Sequence, residues 1–95
     1  PGSSCPTSEF KYLHDHPLVK PNFVNDLERL IYEAGVAAHT KNVKGKPIEK
    51  LVSLASDLTK SLSSFIQDKS NDNAETCLKV MRQLYQLCKF ITSLK

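Results

Sequence analysis

The sequence predicts an all-α fold, a small up-down-up bundle of three helices at about residues 22–41, 47–69 and 72–94. Apolar residues recur at helical spacing through each of these stretches, and no stretch alternates at the period of two that marks a strand. The breaks between the stretches are only about four or five residues long, and helices joined by such short loops are usually antiparallel neighbours.

The last helix is predicted to be the centre of the bundle, because its apolar face is unusually wide. At 100° per residue this face covers about 200° of the helix, whereas a surface helix needs little more than about 100°. Its members are Cys77, Leu78, Val80, Met81, Leu84, Tyr85, Leu87, Cys88, Ile91 and Leu94. We therefore expect at least two helices to flank it, and part of the face to stay open for a partner or a second copy.

The first helix contains a run of small residues in its second half, from Ala34 to Ala38. Gly35 lies within this run, although glycine costs about 1 kcal/mol relative to alanine in a helix interior. Close approach of a neighbouring helix would explain the glycine. The alternative is that it forms the shallow floor of a ligand groove.

The second helix is expected to begin at Pro47 and to have one buried side, with Gly45 as the turn residue before it. Its apolar arc consists of Ile48, Leu51, Val52, Leu54, Ala55, Leu58, Leu62, Phe65 and Ile66. For the last helix, Asp72 followed by Glu75 has the spacing of a capping box, with a carboxylate in place of the usual hydroxyl.

The start of the chain differs in composition from the rest. Residues 1–7 are rich in Pro, Gly and Ser, and we interpret them as a disordered tail or cloning remnant. A short extra helix is predicted at about residues 8–15, and docking of residues 8–20 on the bundle stays open. Residues 8–95 then form a single domain. Since no methionine precedes it, we expect this domain to be excised from a larger protein.

Size and composition indicate one soluble domain of an intracellular protein. The chain has 95 residues, 40% apolar and 24% charged residues, and a net charge of +3. It has no apolar run long enough to span a membrane. Cys77 and Cys88 are eleven residues apart on one predicted helix, about 16 Å along its axis, so they cannot form a disulfide with each other. This favours a reducing compartment, with nucleus and cytoplasm both open.

The sequence offers no catalytic or cofactor-binding pattern. It lacks a nucleophile elbow, a glycine-rich phosphate loop and a zinc-protease motif. His14, Asp15 and His16 are adjacent, but their spacing does not suit a zinc site. We interpret Asp15 or His16 as a helix-end or turn residue before Pro17. We therefore expect no enzyme activity, no metal and no cofactor.

The preferred hypothesis is a protein-interaction module that binds an amphipathic helix or short linear motif of a partner in a groove between helices. An exposed aromatic residue beside basic residues is a common anchor for a partner. Acidic groups in the partner would suit the basic residues of this set. The candidate contact residues are Phe90, Arg82, Lys79, Gln86, Lys89, Ala34 and Ala38. Packing of Phe90 against the start of the chain is the alternative for that residue.

A second hypothesis is a helical domain that binds nucleic acid or chromatin through a basic loop. The loop carries Lys41, Lys44, Lys46 and Lys50, but it has no aromatic residue among the lysines to stack on bases. A third hypothesis is a homo-oligomerisation element in which the last helix pairs across a two-fold axis.

Overall fold

The structure, a computed structural model, describes Leu13 and residues 16–94. This part of the chain forms three α-helices and no strand: α1 (Pro21–Thr40), α2 (Lys46–Gln67) and α3 (Asn71–Ser93). The predicted helical bundle is confirmed, and each helix ends within two residues of its predicted limit. The predicted tail at residues 1–7, and the predicted extra helix at 8–15 except for Leu13, lie outside the described residues.

The turn between α1 and α2 is built on two left-handed residues. The end of α1 has the hydrogen bonds of a Schellman motif, in which the Val43 N–H donates to the Ala38 carbonyl across 2.9 Å. Asn42 adopts φ 55° there, a conformation that asparagine tolerates better than most residues. Gly45 adopts φ 88° just before α2 begins, as predicted for a turn residue, whereas the role of Asn42 was not anticipated.

The start of α3 differs from the prediction. Ser70 is its N-cap, and the Ser70 hydroxyl accepts a hydrogen bond from the Asn73 N–H across 3.3 Å. The helix therefore starts earlier than expected, Asp72 lies inside its first turn, and the predicted capping box is wrong. The Asn73 side chain also donates to the carbonyl oxygens of Asp68 and Ser64, at 2.7 and 3.3 Å. It thereby gives these carbonyl groups at the end of α2 a hydrogen-bond partner.

α3 is the central helix, because the main contacts between helices in the described chain all involve it. α1 and α3 run in the same direction: Phe23 near the start of α1 stacks on Tyr85, and Lys41 just after α1 reaches Thr92. α2 runs in the opposite direction and, like α1, packs on α3. The prediction that at least two helices flank α3 is therefore confirmed.

The core lies along α3 and is entirely apolar. The largest fully buried side chains are Phe65, Leu13, Leu27, Leu58, Leu62, Met81, Leu84, Ile91, Val24, Cys77 and Cys88. Every member of the wide apolar face of α3 is buried or partly buried, and the partly buried members are Val80, Tyr85, Leu87 and Leu94. The expectation that part of this face serves a partner or a second copy stays a prediction. Val52, expected in the apolar arc of α2, is 64% exposed, because it lies at the edge of that arc, about 120° around the helix from Leu58.

A candidate partner-binding groove beside α3

A groove runs between the segment that precedes α1 and the N-terminal half of α3. It consists of two adjoining depressions that share Leu18, Leu78 and Arg82. The first depression extends to Lys20 and Phe23. The second extends to Glu75 and Lys79. Two predicted contact residues, Lys79 and Arg82, therefore lie on the rim of one surface feature.

A hydrogen-bonded turn at His16 places Leu18 on this rim. The His16 N–H donates to the Leu13 carbonyl across 3.1 Å, and the Val19 N–H donates to the His16 carbonyl across 3.0 Å. The Leu18 N–H donates to Nδ1 of His16 across 3.2 Å. Leu13 and Val19 are buried, which fixes the turn to the core, whereas Leu18 is 42% exposed.

The ring of His16 adds a contact with α2. It meets the Phe65 ring edge to face, with the ring centroids 5.5 Å apart. The interpretation of His16 as a turn residue is confirmed, while His14 and Asp15 lie outside the described residues. Within residues 16–94 and Leu13, no three His, Cys, Asp or Glu side chains come close enough together to hold a metal ion.

The α1 side of the groove is fixed to α3 by an aromatic pair. The rings of Phe23 and Tyr85 are stacked, with centroids 5.6 Å apart and an angle of 29° between their planes. The ammonium group of Lys89 lies 5.6 Å from the centre of the Tyr85 ring, at the distance of a cation–π interaction. Lys89 is exposed, and the prediction that it contacts a partner stays a prediction.

The rim of the groove is mainly positive. Lys79 and Arg82 are exposed and form no ion pair with any described residue, and Lys20 adds a third cation. The only ion pair within the described part of the chain joins Arg29 to Asp26, away from the groove. Against these three cations, the described lining contains a single acid, Glu75. The groove thus combines an apolar floor with an excess of positive charge.

The remaining predicted contact residues of α3 are not part of this groove. Gln86 lies beside Lys50 of α2 in a separate shallow depression, together with Gln83 and Leu87. Phe90 is 51% exposed, two turns beyond Arg82, and lines neither depression of the groove. The structure therefore brings together two of the three basic members of the predicted set, Lys79 and Arg82, in the N-terminal half of α3. It leaves Lys89 and the aromatic member, Phe90, apart from them.

The small-residue run of α1 behaves differently from the prediction. Ala34 is fully buried in the core and Ala38 is partly buried, so Ala34 offers no surface to a partner. Gly35 is exposed, and a Cβ atom added to it would meet nothing within 4 Å, so the expected close approach of another helix is wrong. Gly35 lies in a shallow apolar depression between Tyr32 and Val36, which are 72% and 49% exposed.

The basic loop is partly used within the fold. The Lys41 ammonium group donates to the carbonyl oxygens of Thr92 and Leu94 at the end of α3. Lysine at this position satisfies carbonyls that have no partner inside the helix. Lys44, Lys46 and Lys50 are exposed, so three of the four predicted lysines present their charge to solvent.

The two buried cysteines are not activated for chemistry. Burial raises the pKa of Cys77 and of Cys88 to about 11, because a thiolate is poorly solvated in the core. Both thiols are free and fully buried. They are therefore protonated at neutral pH and contribute to the core as small apolar groups.

Comparison with known proteins gives no precedent for this arrangement. No protein-family model, curated protein or solved structure matches the chain.

Sequence reasoning missed the apolar half of the groove. Leu18 lies between Pro17 and Pro21, where no helical period exists to assign its direction. Phe23 and Leu78 were expected in the core, and they do contribute to it, but each also has an edge in the groove. The one available signal was the apolar pair Leu18-Val19 in a polar, proline-bounded stretch.

Proposed function

We propose that the chain is a non-enzymatic protein-interaction module, which binds an amphipathic helix or short linear motif of a partner in the groove beside α3. The observation that carries this proposal is that the exposed Leu18 side chain and Arg82 line the same depressions together with the apolar residue Leu78. Protein-binding sites typically join a small apolar centre to a polar, charged rim. Arginine is also one of the residues most often found at the energetic centre of such interfaces.

The nucleic-acid alternative has weaker support in the geometry. Lys41 donates to α3, which leaves Lys44, Lys46 and Lys50 as the exposed lysines of the loop. Neutralisation of phosphates by three lysines gives weak binding with a steep salt dependence. Homo-oligomerisation through α3 remains a further alternative, for which the exposed Phe90 is the one supporting residue.

Peptide display with the full chain tests the proposal. Random twelve-residue peptides are selected against the immobilised chain, and the selected peptides are titrated into the ¹⁵N-labelled chain. We expect amide shifts to cluster at residues 18–23 and 75–82. Replacing Leu18→Asp should weaken binding at least about tenfold, or about 1.4 kcal/mol, which is more than most interface residues cost when they are truncated.

Val52→Asp is the matched control, since Val52 is also exposed and lies on α2. This variant should bind the selected peptides as the unchanged chain does. Failure to select any peptide would contradict the proposal, as would shifts confined to Lys44–Lys50. Shifts confined to Phe90 and its neighbours, with a concentration-dependent increase in mass, would favour the oligomer instead.

A further inference from the structure

We infer that the groove selects an acidic motif, in which one bulky apolar side chain is flanked by carboxylates. This inference rests on the proposed function and adds the chemistry of the partner. The apolar side chain would fit between Leu18 and Leu78. The carboxylates would pair with Arg82 and with the lysines on either side of it.

Arg82 is the central group because it lines both depressions of the groove. Its guanidinium group can bind a carboxylate through two parallel hydrogen bonds, which a lysine ammonium group cannot do. Lys20 extends the positive rim along the first depression and Lys79 along the second. A motif that covers both depressions would therefore meet Arg82 in each of them, Lys20 in the first, and Lys79 with Glu75 in the second.

Among the described residues Arg82 and Lys79 have no acidic partner, which favours an acidic ligand over a neutral one. An apolar ligand that covers the groove removes water from Arg82 and Lys79, and neither has an acidic partner among the described residues. Covering a charge without a compensating partner is unfavourable. Carboxylates in the motif supply that compensation. Glu75, the one acid in the described lining, disfavours a carboxylate directly beside it and so favours the Lys20 end.

The groove also limits the length of the motif. Its α3 side runs from Glu75 to Arg82, which is about 10 Å at 1.5 Å per residue. About three or four residues of extended peptide cover this distance at roughly 3.3 Å each. The contact therefore suits one apolar anchor and its immediate neighbours.

Three pools of synthetic eight-residue peptides test the inference against the full chain. Each pool has Leu, Ile, Phe or Met at a central position, flanked by Asp and Glu in the first pool, by Asn and Gln in the second, and by Lys in the third. We expect the acidic pool to bind about tenfold more tightly than the amide pool at low ionic strength, and the lysine pool not to bind. The advantage of the acidic pool should shrink as salt is added.

Arg82→Gln should reduce the difference between the acidic and amide pools to about twofold or less. Arg29→Gln is its matched control, since Arg29 is also exposed but is paired with Asp26 on α1, and it should leave the difference unchanged. Leu18→Ser should weaken the binding of both pools, because it removes an apolar contact that the central residue of every peptide in both pools would make.

The outcomes separate the inference from the proposed function. Equal binding of the acidic and amide pools, with amide shifts at residues 18–23 and 75–82, overturns the acidic motif and leaves the interaction module standing. Absence of binding by all three pools, while peptides from the random display bind elsewhere on the chain, also overturns it. If no peptide binds in either experiment, both proposals fail.

A shortened chain tests whether the groove takes its ligand from another protein. Residues 1–9 are removed, and the amide spectrum is recorded without peptide. Unchanged resonances at Leu78 and Arg82 support an external partner. A shift of these resonances would mean that the chain's own start occupies the groove, which would overturn the inference.

Discussion

The ammonium group of Lys41 donates a hydrogen bond to the carbonyl oxygen of Thr92 across 3.0 Å, and so joins the end of α1 to the end of α3. The same group also donates to the Leu94 carbonyl. The last carbonyls of a helix have no partner within it, and a positive charge is favourable at that end. A lysine that the sequence places in a basic binding loop is therefore part of the fold.

Lys41→Met should lower the free energy of unfolding by about 1 kcal/mol, because it removes the donor and the charge at the end of α3. Urea unfolding followed by circular dichroism measures this change. Lys44→Met, at an exposed lysine of the same loop, should change the stability by less than about 0.5 kcal/mol. Equal effects of the two substitutions would show that the Lys41 contact does not stabilise the protein.

Gly35→Ala should raise the free energy of unfolding by about 0.5–1 kcal/mol, because alanine is the better helix former and its Cβ would meet nothing within 4 Å. Gly45→Ala should instead destabilise the protein, since Gly45 has φ 88° and an added Cβ is strained there. Thermal unfolding of the two variants measures whether each substitution raises or lowers the stability. A loss of stability in Gly35→Ala would mean that another part of the chain packs on that face of α1.

Ser70→Ala should cost about 1 kcal/mol of stability, because it leaves the Asn73 N–H at the start of α3 without its acceptor. Ser63→Ala, at an exposed site within α2, is the control and should be neutral or slightly stabilising. Amide hydrogen exchange should locate the loss of protection in the first turn of α3. Protection lost evenly along α3 would contradict a local capping role.

The stability should fall between about pH 9 and pH 11, through Cys77 and Cys88. Their pKa is raised from 9.0 to about 11 in the folded chain, so the unfolded chain loses these protons at a lower pH. The stability that the two protonated thiols contribute to the folded chain is fully present below pH 9 and is lost as the pH rises towards 11. Within this window the free energy of unfolding falls by about 1.4 kcal/mol per thiol for each pH unit. Denaturant midpoints measured across this range test the sign.

The control for this pH dependence is the double variant Cys77→Ala, Cys88→Ala. It should be less stable at pH 7, because the sulfur atoms leave small cavities, but its stability should fall less steeply above pH 9. The difference between the two profiles isolates the contribution of the two thiols to the pH dependence of stability. Profiles of identical slope would refute the assignment to the cysteines.

Helical periodicity was sufficient to predict the three helices and the central place of α3. Ten apolar positions on one helix need two neighbours to cover them, whatever the details of packing. Periodicity could not place Val52, because a residue at the edge of an apolar arc is buried or exposed according to how near the next helix lies. Nor could it interpret Gly35, since the same residue suits close packing and an open surface.

The groove was harder to predict, because half of it depends on the segment around Leu18, which has no helical periodicity. The direction of Leu18 follows from the hydrogen bond between its N–H and Nδ1 of His16, and from the burial of Leu13 and Val19 on either side. The hydrogen bond is local, but the burial of Leu13 and Val19 depends on tertiary packing, which no helical period predicts. The basic residues of α3 were predictable because the helix itself fixes which face they occupy.

The central position of α3 has a consequence for synthesis on the ribosome. α1 and α2 leave the exit tunnel first, but their main packing partner is the final helix of the described chain. Nascent chains of this kind expose the apolar sides of their first two helices until translation has passed residue 93, and such surfaces are prone to aggregation. Acquisition of the native state is therefore coupled to completion of α3.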